Sequence, residues 1–167
     1  RLKDQLEKDQ DYLENSAAMQ MDPYCVPILE LQYYIKSDYV MNYTRDVIPD
    51  YTPALGGMYF RYIASGEMRQ NILDESGLTI SSEEFEEMID VSQSSNILYI
   101  TVKYPEEEKI DDISECIKKF INQKQQDFQK IGSHQLVLMG ESQNTIVDES
   151  ILEKKNTIFT RMASISE

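Results

Sequence analysis

The side chains of this chain that are able to do chemistry are few and widely spaced. The 167 residues include one histidine, His134, and two cysteines, Cys25 and Cys116. Catalysis by either residue type needs a partner group within hydrogen-bond distance. The cysteines form no CxxC motif, and the sequence leaves open whether they pair with each other. We interpret His134, which falls in a predicted strand, as a structural or surface side chain.

An acidic cluster at 106–112, EEEKIDD, is the strongest candidate for a metal site, because calcium prefers carboxylate oxygens. Its order lacks the alternating ligands and the turn glycine of a calcium loop. Acidic residues in the first turn of a helix also oppose the positive end of its dipole. We therefore interpret the cluster as a helix start. Since HExxH, P-loop, GxGxxG and GxSxG motifs are absent as well, we expect a protein that is not an enzyme and has no metal or cofactor.

The charge of the chain restricts its partners. Sixteen Lys and Arg against 30 Asp and Glu give a formal net charge of −14 at pH 7. Nucleic-acid binding needs clustered basic side chains, so we expect no nucleic acid, and flat docking on an anionic membrane is disfavoured. A composition of 41% hydrophobic and 28% charged residues is typical of a soluble globular chain. No stretch of about 18 apolar residues is present that would span a bilayer.

Hydrophobic periodicity predicts an α+β fold. We expect a small, mostly antiparallel sheet that is covered on one face by the helices over 54–76 and 110–131. A capping box, Ser81 with Glu84, opens a short helix. Ile89 and Val91 lead toward the next strand. The remaining predicted elements are helices over 1–19 and 148–167, strands over 28–43, 96–104 and 133–142, and a turn over 143–148.

The two terminal helices carry narrow apolar stripes. Such a helix is not stable alone in water and needs a partner helix. We predict that helical arms 1–20 and 148–167 form a coiled-coil-like interaction surface on an α+β body, 21–147, all within a single domain, 1–167. Both arms look truncated, as in a fragment of a larger protein. The predicted interaction residues are Leu2, Leu6, Leu13, Ile151, Ile158, Met162 and Ile165.

Several stretches between 54 and 140 resemble one protein family. They read EMRQNILDESGLTIS, SEEFEEMIDVSQ, SSNILYITVKYPEEEKIDDISECIKKFINQKQQDF and SHQLVLMGES. The order and the apolar spacing are similar to the extracytoplasmic domain of the polysaccharide co-polymerases, the chain-length determinant (Wzz) family, in its Gram-positive form. The family's DP-x-x-A element reads YPEEEKIDDIS here. The matching residues are Ile89 and Val91 for an I-x-V passage, Ile100 and Val102 for the following strand, Pro105, and the helical Asn122.

The resemblance implies a function without catalysis. Members of the family assemble as homo-oligomeric rings on the extracytoplasmic side of the bacterial plasma (inner) membrane, and the membrane segments that anchor them would lie outside this chain. They regulate the chain length of O-antigen, capsule or exopolysaccharide. The implied partners are the polysaccharide polymerase and, in Gram-positive members, a cytoplasmic tyrosine kinase.

Two other functions remain open at this stage. The first is an extracytoplasmic ligand-sensing domain of a membrane receptor, with a pocket against the sheet lined by Tyr59, Tyr62 or Tyr99. The second is a helical-hairpin adaptor of an export system, in which the terminal helices continue into a long antiparallel coiled coil.

Overall fold

A four-stranded antiparallel sheet forms the centre of the computed structural model, which describes residues 1–41 and 48–166. The order of the strands in the sheet is β2-β3-β1-β4. The α+β class and the antiparallel sheet predicted from the sequence are confirmed. The strands are β1 (Val26–Ser37), β2 (Ile89–Ser94), β3 (Ile97–Lys103) and β4 (His134–Ile146).

Side chains alternate between a buried and an open face of this sheet, as the pleat requires. On the central strand β1, Leu29, Leu31 and Ile35 are buried under the helices, while Glu30 and Gln32 lie on the open face. The same alternation on β3 buries Leu98, Ile100 and Val102.

Seven α-helices lie within the described ranges, and α3, α4 and α6 supply most of the helical side chains that cover the buried face. A short 3-10 turn at Glu107–Lys109, inside the acidic cluster, leads into α6. No helix among residues 1–41 and 48–166 is long and apolar enough to cross a bilayer. The helices are α1 (Leu2–Asn15), α2 (Ala17–Gln20), α3 (Thr52–Ile63), α4 (Gly66–Ser76), α5 (Ser82–Met88), α6 (Ile110–Phe128) and α7 (Glu149–Ser166).

Serine caps divide two helices that the periodicity predicts to be continuous. Ser16 separates α1 from α2, and Ser65 opens α4 after α3. The hydroxyl of each accepts a hydrogen bond from the backbone N–H three residues on, at 3.3 and 3.1 Å. A side chain that competes in this way for backbone N–H groups favours a new helix start over helix continuation. The predicted Ser81 cap of α5 is present, with its hydroxyl 3.1 Å from the Glu84 N–H.

The strands differ from the prediction in three places. β1 ends at Ser37, so the strand predicted over 28–43 is too long, and residues 42–47 lie outside the described part of the chain. Ile89–Ser94 forms a strand of its own, β2, paired to β3. The turn predicted over 143–148 is wrong up to Ile146, because β4 pairs with β1 as far as that residue.

Candidate interaction surface

The two terminal helices pack side by side and run in opposite directions. Lys154 Nζ, near the start of α7, lies 4.8 Å from the ring centroid of Tyr12, near the end of α1. Arg161, further along α7, pairs with Asp9, further back on α1. The residue numbers of the contacts therefore increase along α7 while they decrease along α1, so the two helices are antiparallel. We call this pair of helices, α1 and α7, the terminal arm.

The structure brings only part of the predicted apolar stripes into the interior. Ile151 and Ile158 of α7 are 4% and 5% exposed. Leu2 is 67% exposed and lies outside the packed part of the arm. The other four predicted residues, Leu6, Leu13, Met162 and Ile165, are half-buried. The two arms thus meet, but a regular coiled-coil packing along their length is not confirmed.

An ion pair occupies the position where the α1 stripe is interrupted. Asp9 lies seven residues after Leu2, and its side chain is 4% exposed. Arg161 Nε donates to one carboxylate oxygen at 2.7 Å and a terminal guanidinium nitrogen donates to the other, so the contact is bidentate. Gln5 Nε2 donates a further hydrogen bond at 2.9 Å. The hydrogen bonds from Arg161 lower the pKa of Asp9 below its ordinary value.

This ion pair fixes how the two helices align. An apolar stripe tolerates sliding of one helix along the other, whereas a covered carboxylate needs its partner at one position. The ion pair is only partly shielded from solvent, because the Arg161 side chain remains 47% exposed. The sequence indicates an interruption of the α1 stripe, because the charged Asp9 lies on the same helix face as Leu2. Residue spacing alone does not identify its partner on α7.

A second polar network ties the arm to the body. The Tyr12 hydroxyl donates to Glu87 Oε2 at 2.7 Å, and Lys154 Nζ donates to the same oxygen at 3.2 Å. Burial raises the pKa of the Tyr12 hydroxyl. Glu87 belongs to α5, which leads directly into strand β2. A contact of this kind limits the swing of the arm relative to the sheet.

The root of α7 is held by a largely covered salt bridge. Asp148 Oδ2 lies 2.6 Å from Lys103 Nζ, and its side chain is 10% exposed. Its other oxygen accepts the N–H of Ser150 at 3.0 Å and so caps the helix. Burial alone would raise the pKa of Asp148, but hydrogen bonds from Lys103 and Ser150 hold it below its ordinary value.

The histidine has a structural environment. His134 is 3% exposed, its Nδ1 lies 2.8 Å from the carbonyl oxygen of Gly132, and its Nε2 lies 2.6 Å from the Tyr59 hydroxyl. Because a carbonyl only accepts, Nδ1 carries a hydrogen, and in the neutral imidazole Nε2 accepts from the Tyr59 hydroxyl. Burial raises the pKa of Tyr59, so its hydroxyl stays protonated and able to donate.

The cysteines lie apart as free thiols, Cys25 exposed and Cys116 buried in α6. Burial raises the pKa of Cys116, so its thiol is held in the unreactive protonated form. Within residues 1–41 and 48–166, no group of three or more His, Cys, Asp or Glu side chains is placed to hold a metal ion.

Of the three tyrosines considered for a sensing pocket against the sheet, Tyr99 lines a hollow of about 400 Å³. Tyr59 and Tyr62 are buried among the helices, at 0% and 9% exposed. Tyr99 pairs with Gln32 on the open face of the sheet and is 39% exposed. Since the sheet separates them, Tyr99 belongs to a different surface.

No protein family, curated protein or solved structure matches this chain.

Proposed function

We propose that this chain is a non-enzymatic extracytoplasmic domain of a membrane-anchored polysaccharide co-polymerase. It regulates the chain length of O-antigen, capsule or exopolysaccharide through oligomeric assembly. The proposal rests on the family resemblance of residues 54–140, and one observation is compatible with it: the start of α1 and the end of α7 lie at the same end of the terminal arm, where Asp9 pairs with Arg161. A domain anchored by one membrane segment on each side would show this arrangement.

The residues that resemble the family have the environment expected of a packing motif. Ile100 and Val102, which match the family's strand, are 1% and 0% exposed beneath the helices. Ile89 and Val91 lie beside them, paired with Val102 and Ile100 respectively, and are half-buried. A motif of this type maintains the body from which an arm projects, and it supplies no reactive group.

A genetic experiment tests the proposal through the arm. The gene that encodes this chain is deleted in its own organism, and the length distribution of the surface polysaccharide is measured on a gel. We expect polymer to persist with its length distribution broadened or shifted. An unchanged distribution contradicts the proposal.

Complementation by charge exchange then tests the observation on the terminal arm. We expect Asp9→Arg alone to fail to restore the distribution, because two cations face each other across the arm. The double variant Asp9→Arg with Arg161→Asp restores the ion pair with its partners exchanged, and we expect it to recover most of the regulation. If the single variant complements as well as the native gene, the arm is not the element on which regulation depends.

A ligand-sensing domain is the second candidate, and a groove favours it. The groove, about 640 Å³ in volume, lies at one end of the open face and includes Ile28, Asp90, Lys103 and Ile146. Its Lys103 is already paired to Asp148 at 2.6 Å, and Glu86, Glu87 and Glu149 also line the groove. A cationic compound that raises the melting temperature of the wild-type protein but not of Asp90→Asn would favour this candidate over the first.

A further inference from the structure

Strand β4 forms one edge of the sheet along 13 residues, and among residues 1–41 and 48–166 no strand pairs with its outer side. Proteins usually block such edges with charged residues, proline or short strands, because unpaired backbone groups recruit other strands. β4 contains no proline, and Glu141 is its only acidic or basic residue apart from His134. Val137, Leu138 and Met139 on this strand are 40%, 39% and 53% exposed.

Backbone hydrogen bonds show which peptide groups of β4 point outward. The Ile35 N–H donates to the Asn96 carbonyl at 2.8 Å, so Ile35 directs its peptide groups toward the β3 side of β1. These directions alternate along a strand. The N–H and C=O groups of Leu29, Leu31, Tyr33 and Ile35 therefore point away from β4. The β4 residues opposite them then direct their own N–H and C=O groups to the outer side. These β4 residues are Leu136, Leu138, Glu141 and Gln143.

Two glutamines of α6 already cover the first part of this edge. Gln129 accepts from the His134 N–H at 3.1 Å and donates to the His134 carbonyl at 2.9 Å, while Gln125 accepts from the Leu136 N–H at 2.8 Å. Four residues of helix rise about 6.0 Å, close to the roughly 6.6 Å between alternate residues of a strand. The two glutamine side chains therefore make hydrogen bonds that a neighbouring strand would otherwise make, at His134 and at Leu136. The edge is open from Leu138 onward.

A β-bulge defines how a second strand fits against the open part. Gln32 pairs with Gly140 and Tyr33 with Leu138, so Met139 is an extra residue in β4. In consequence the outward-pointing residues 138 and 141 are three positions apart instead of two. An antiparallel copy of β4 aligns with the open groups of Leu138 and Glu141 when its bulge lies against this bulge. Leu138 of each copy is then opposite Glu141 of the other, and Met139 is opposite Gly140.

Size and charge suit this register. The exposed Met139 meets a glycine, which leaves room for it. Glu141 is neutralised in place, since its carboxylate accepts from Lys118 Nζ at 2.6 Å and from the Ser114 hydroxyl at 2.7 Å. On a chain with a net charge of −14, self-repulsion opposes most approaches of a second copy. Residues 137–142 bring no unpaired charge to the contact.

We propose that residues 137–142 of β4 pair with the same residues of a second copy of this chain. The two strands are antiparallel and related by a two-fold axis at the bulge of Met139 and Gly140. The pairing joins two sheets edge to edge, with the helices of both copies on one face. It requires neither the polysaccharide function nor the terminal arm. Interfaces below about 1,200 Å² are weak, so we expect a dimer that dissociates on dilution.

Disulfide trapping tests the register. In a Cys25→Ser background, the double variant Val137→Cys with Ser142→Cys places the new sulfurs opposite each other across the proposed interface. Such a non-hydrogen-bonded pair has Cα atoms about 4.5 Å apart, within the roughly 4.4–6.8 Å range of disulfides. Within one copy the same two positions are about 15 Å apart along the strand. We expect mild oxidation to give a covalent dimer on a non-reducing gel.

The matched control moves one sulfur out of register. Val137→Cys with Asn144→Cys keeps both sulfurs on the same face but displaces one by about 6.6 Å along the strand. We expect its dimer to form about tenfold more slowly or not at all, because the Cα separation exceeds the disulfide range. Equal rates for the two pairs, or no dimer with either, overturn the proposal.

A charge variant tests the same interface without cross-links. Met139→Glu places two carboxylates at the two-fold axis, and we expect it to abolish the concentration-dependent dimer in sedimentation velocity. Ser92→Glu, on the open face of the opposite edge strand, adds the same charge and should leave the dimer intact. Melting curves of both variants confirm folding. A dimer that survives Met139→Glu and is lost with Ile165→Glu shows that copies meet through the terminal arm, which overturns the proposal.

Discussion

Helices α6 and α7 are similar in length and both carry an apolar stripe, yet they are used differently. α6 buries Ile110, Ile113, Ile117 and Ile121 at 1% exposure or less, all against the sheet and its neighbouring helices. α7 buries only Ile151 and Ile158, and it relies on ion pairs for the rest of its position. An apolar stripe at helical spacing therefore indicates that a helix packs against something. It does not indicate how much the stability of the fold depends on that helix. α6 stabilises the α+β body, whereas α7 forms one half of the terminal arm.

The largest effect is expected from a charge in the α6 stripe. Ile117 is 0% exposed, so Ile117→Asp buries an unpaired carboxylate and should cost on the order of 4 kcal/mol or more, which unfolds the domain. Circular dichroism melting curves measure this. A folded variant with a near-native melting temperature would show that α6 does not form the core.

Truncation in the α7 stripe should have a smaller and more local effect. Ile158→Ala removes a buried side chain, which costs about 2–5 kcal/mol where the site is rigid, but the arm can open without unfolding the sheet. We therefore expect hydrogen exchange to accelerate in α1 and α7 while the amides of α6 stay protected. Equal loss of protection in α6 would mean that arm and body unfold together.

The buried hydrogen bond of the histidine tests the body at a polar site. Tyr59→Phe removes the donor 2.6 Å from His134 Nε2 and should lower the free energy of unfolding by about 1–3 kcal/mol. Urea denaturation measures the change. Tyr99→Phe, on the open face, is the matched control and should differ from wild type by less than about 0.5 kcal/mol.

Acid should loosen the arm before it affects the hydrophobic core. The pKa of Asp9 is lower in the folded protein than its ordinary value of about 4. Its ion pair with Arg161 therefore stabilises the arm above that pH and is lost as pH falls through the lowered pKa. Hydrogen exchange of α1 between pH 5 and pH 2 should show this loss in wild type. In Asp9→Asn the arm should already be loose at pH 5, whereas Asp4→Asn, an exposed acid on the same helix, should behave as wild type.

The smallest effect is expected at the acidic start of α6. Glu107 is exposed in the 3-10 turn before the helix, and Glu107→Ala should change the free energy of unfolding by less than about 0.5 kcal/mol. A destabilisation of 2 kcal/mol or more would place this acid in a structural contact and would weaken the contrast between the buried stripe of α6 and the exposed acids that precede it.

The sequence predicts the body of the fold well, because burial leaves a regular pattern. The isoleucines of α6 recur at helical spacing, and β1 and β3 alternate cleanly between apolar and polar residues. The end of β4 has no such pattern. Gln143–Thr145 are polar and read as a turn, yet they pair with β1 because the long β1 strand supplies a partner for their backbone groups. Side-chain periodicity does not show which backbone groups pair with each other.

The candidate surface was only half predictable for a related reason. The stripes on α1 and α7 identify the helices that pair, but the Asp9–Arg161 contact depends on the alignment of two distant segments. The same holds for Gln125 and Gln129, which look like solvated polar residues until β4 is known to lie beside them. Long-range polar contacts of this kind need the tertiary structure.

The proposed self-assembly of this chain is tested most directly by its mass in native mass spectrometry over a range of protein concentrations. We expect a homo-oligomer whose stoichiometry falls when Met139→Glu is introduced. A species that remains a single protomer at every concentration would contradict it.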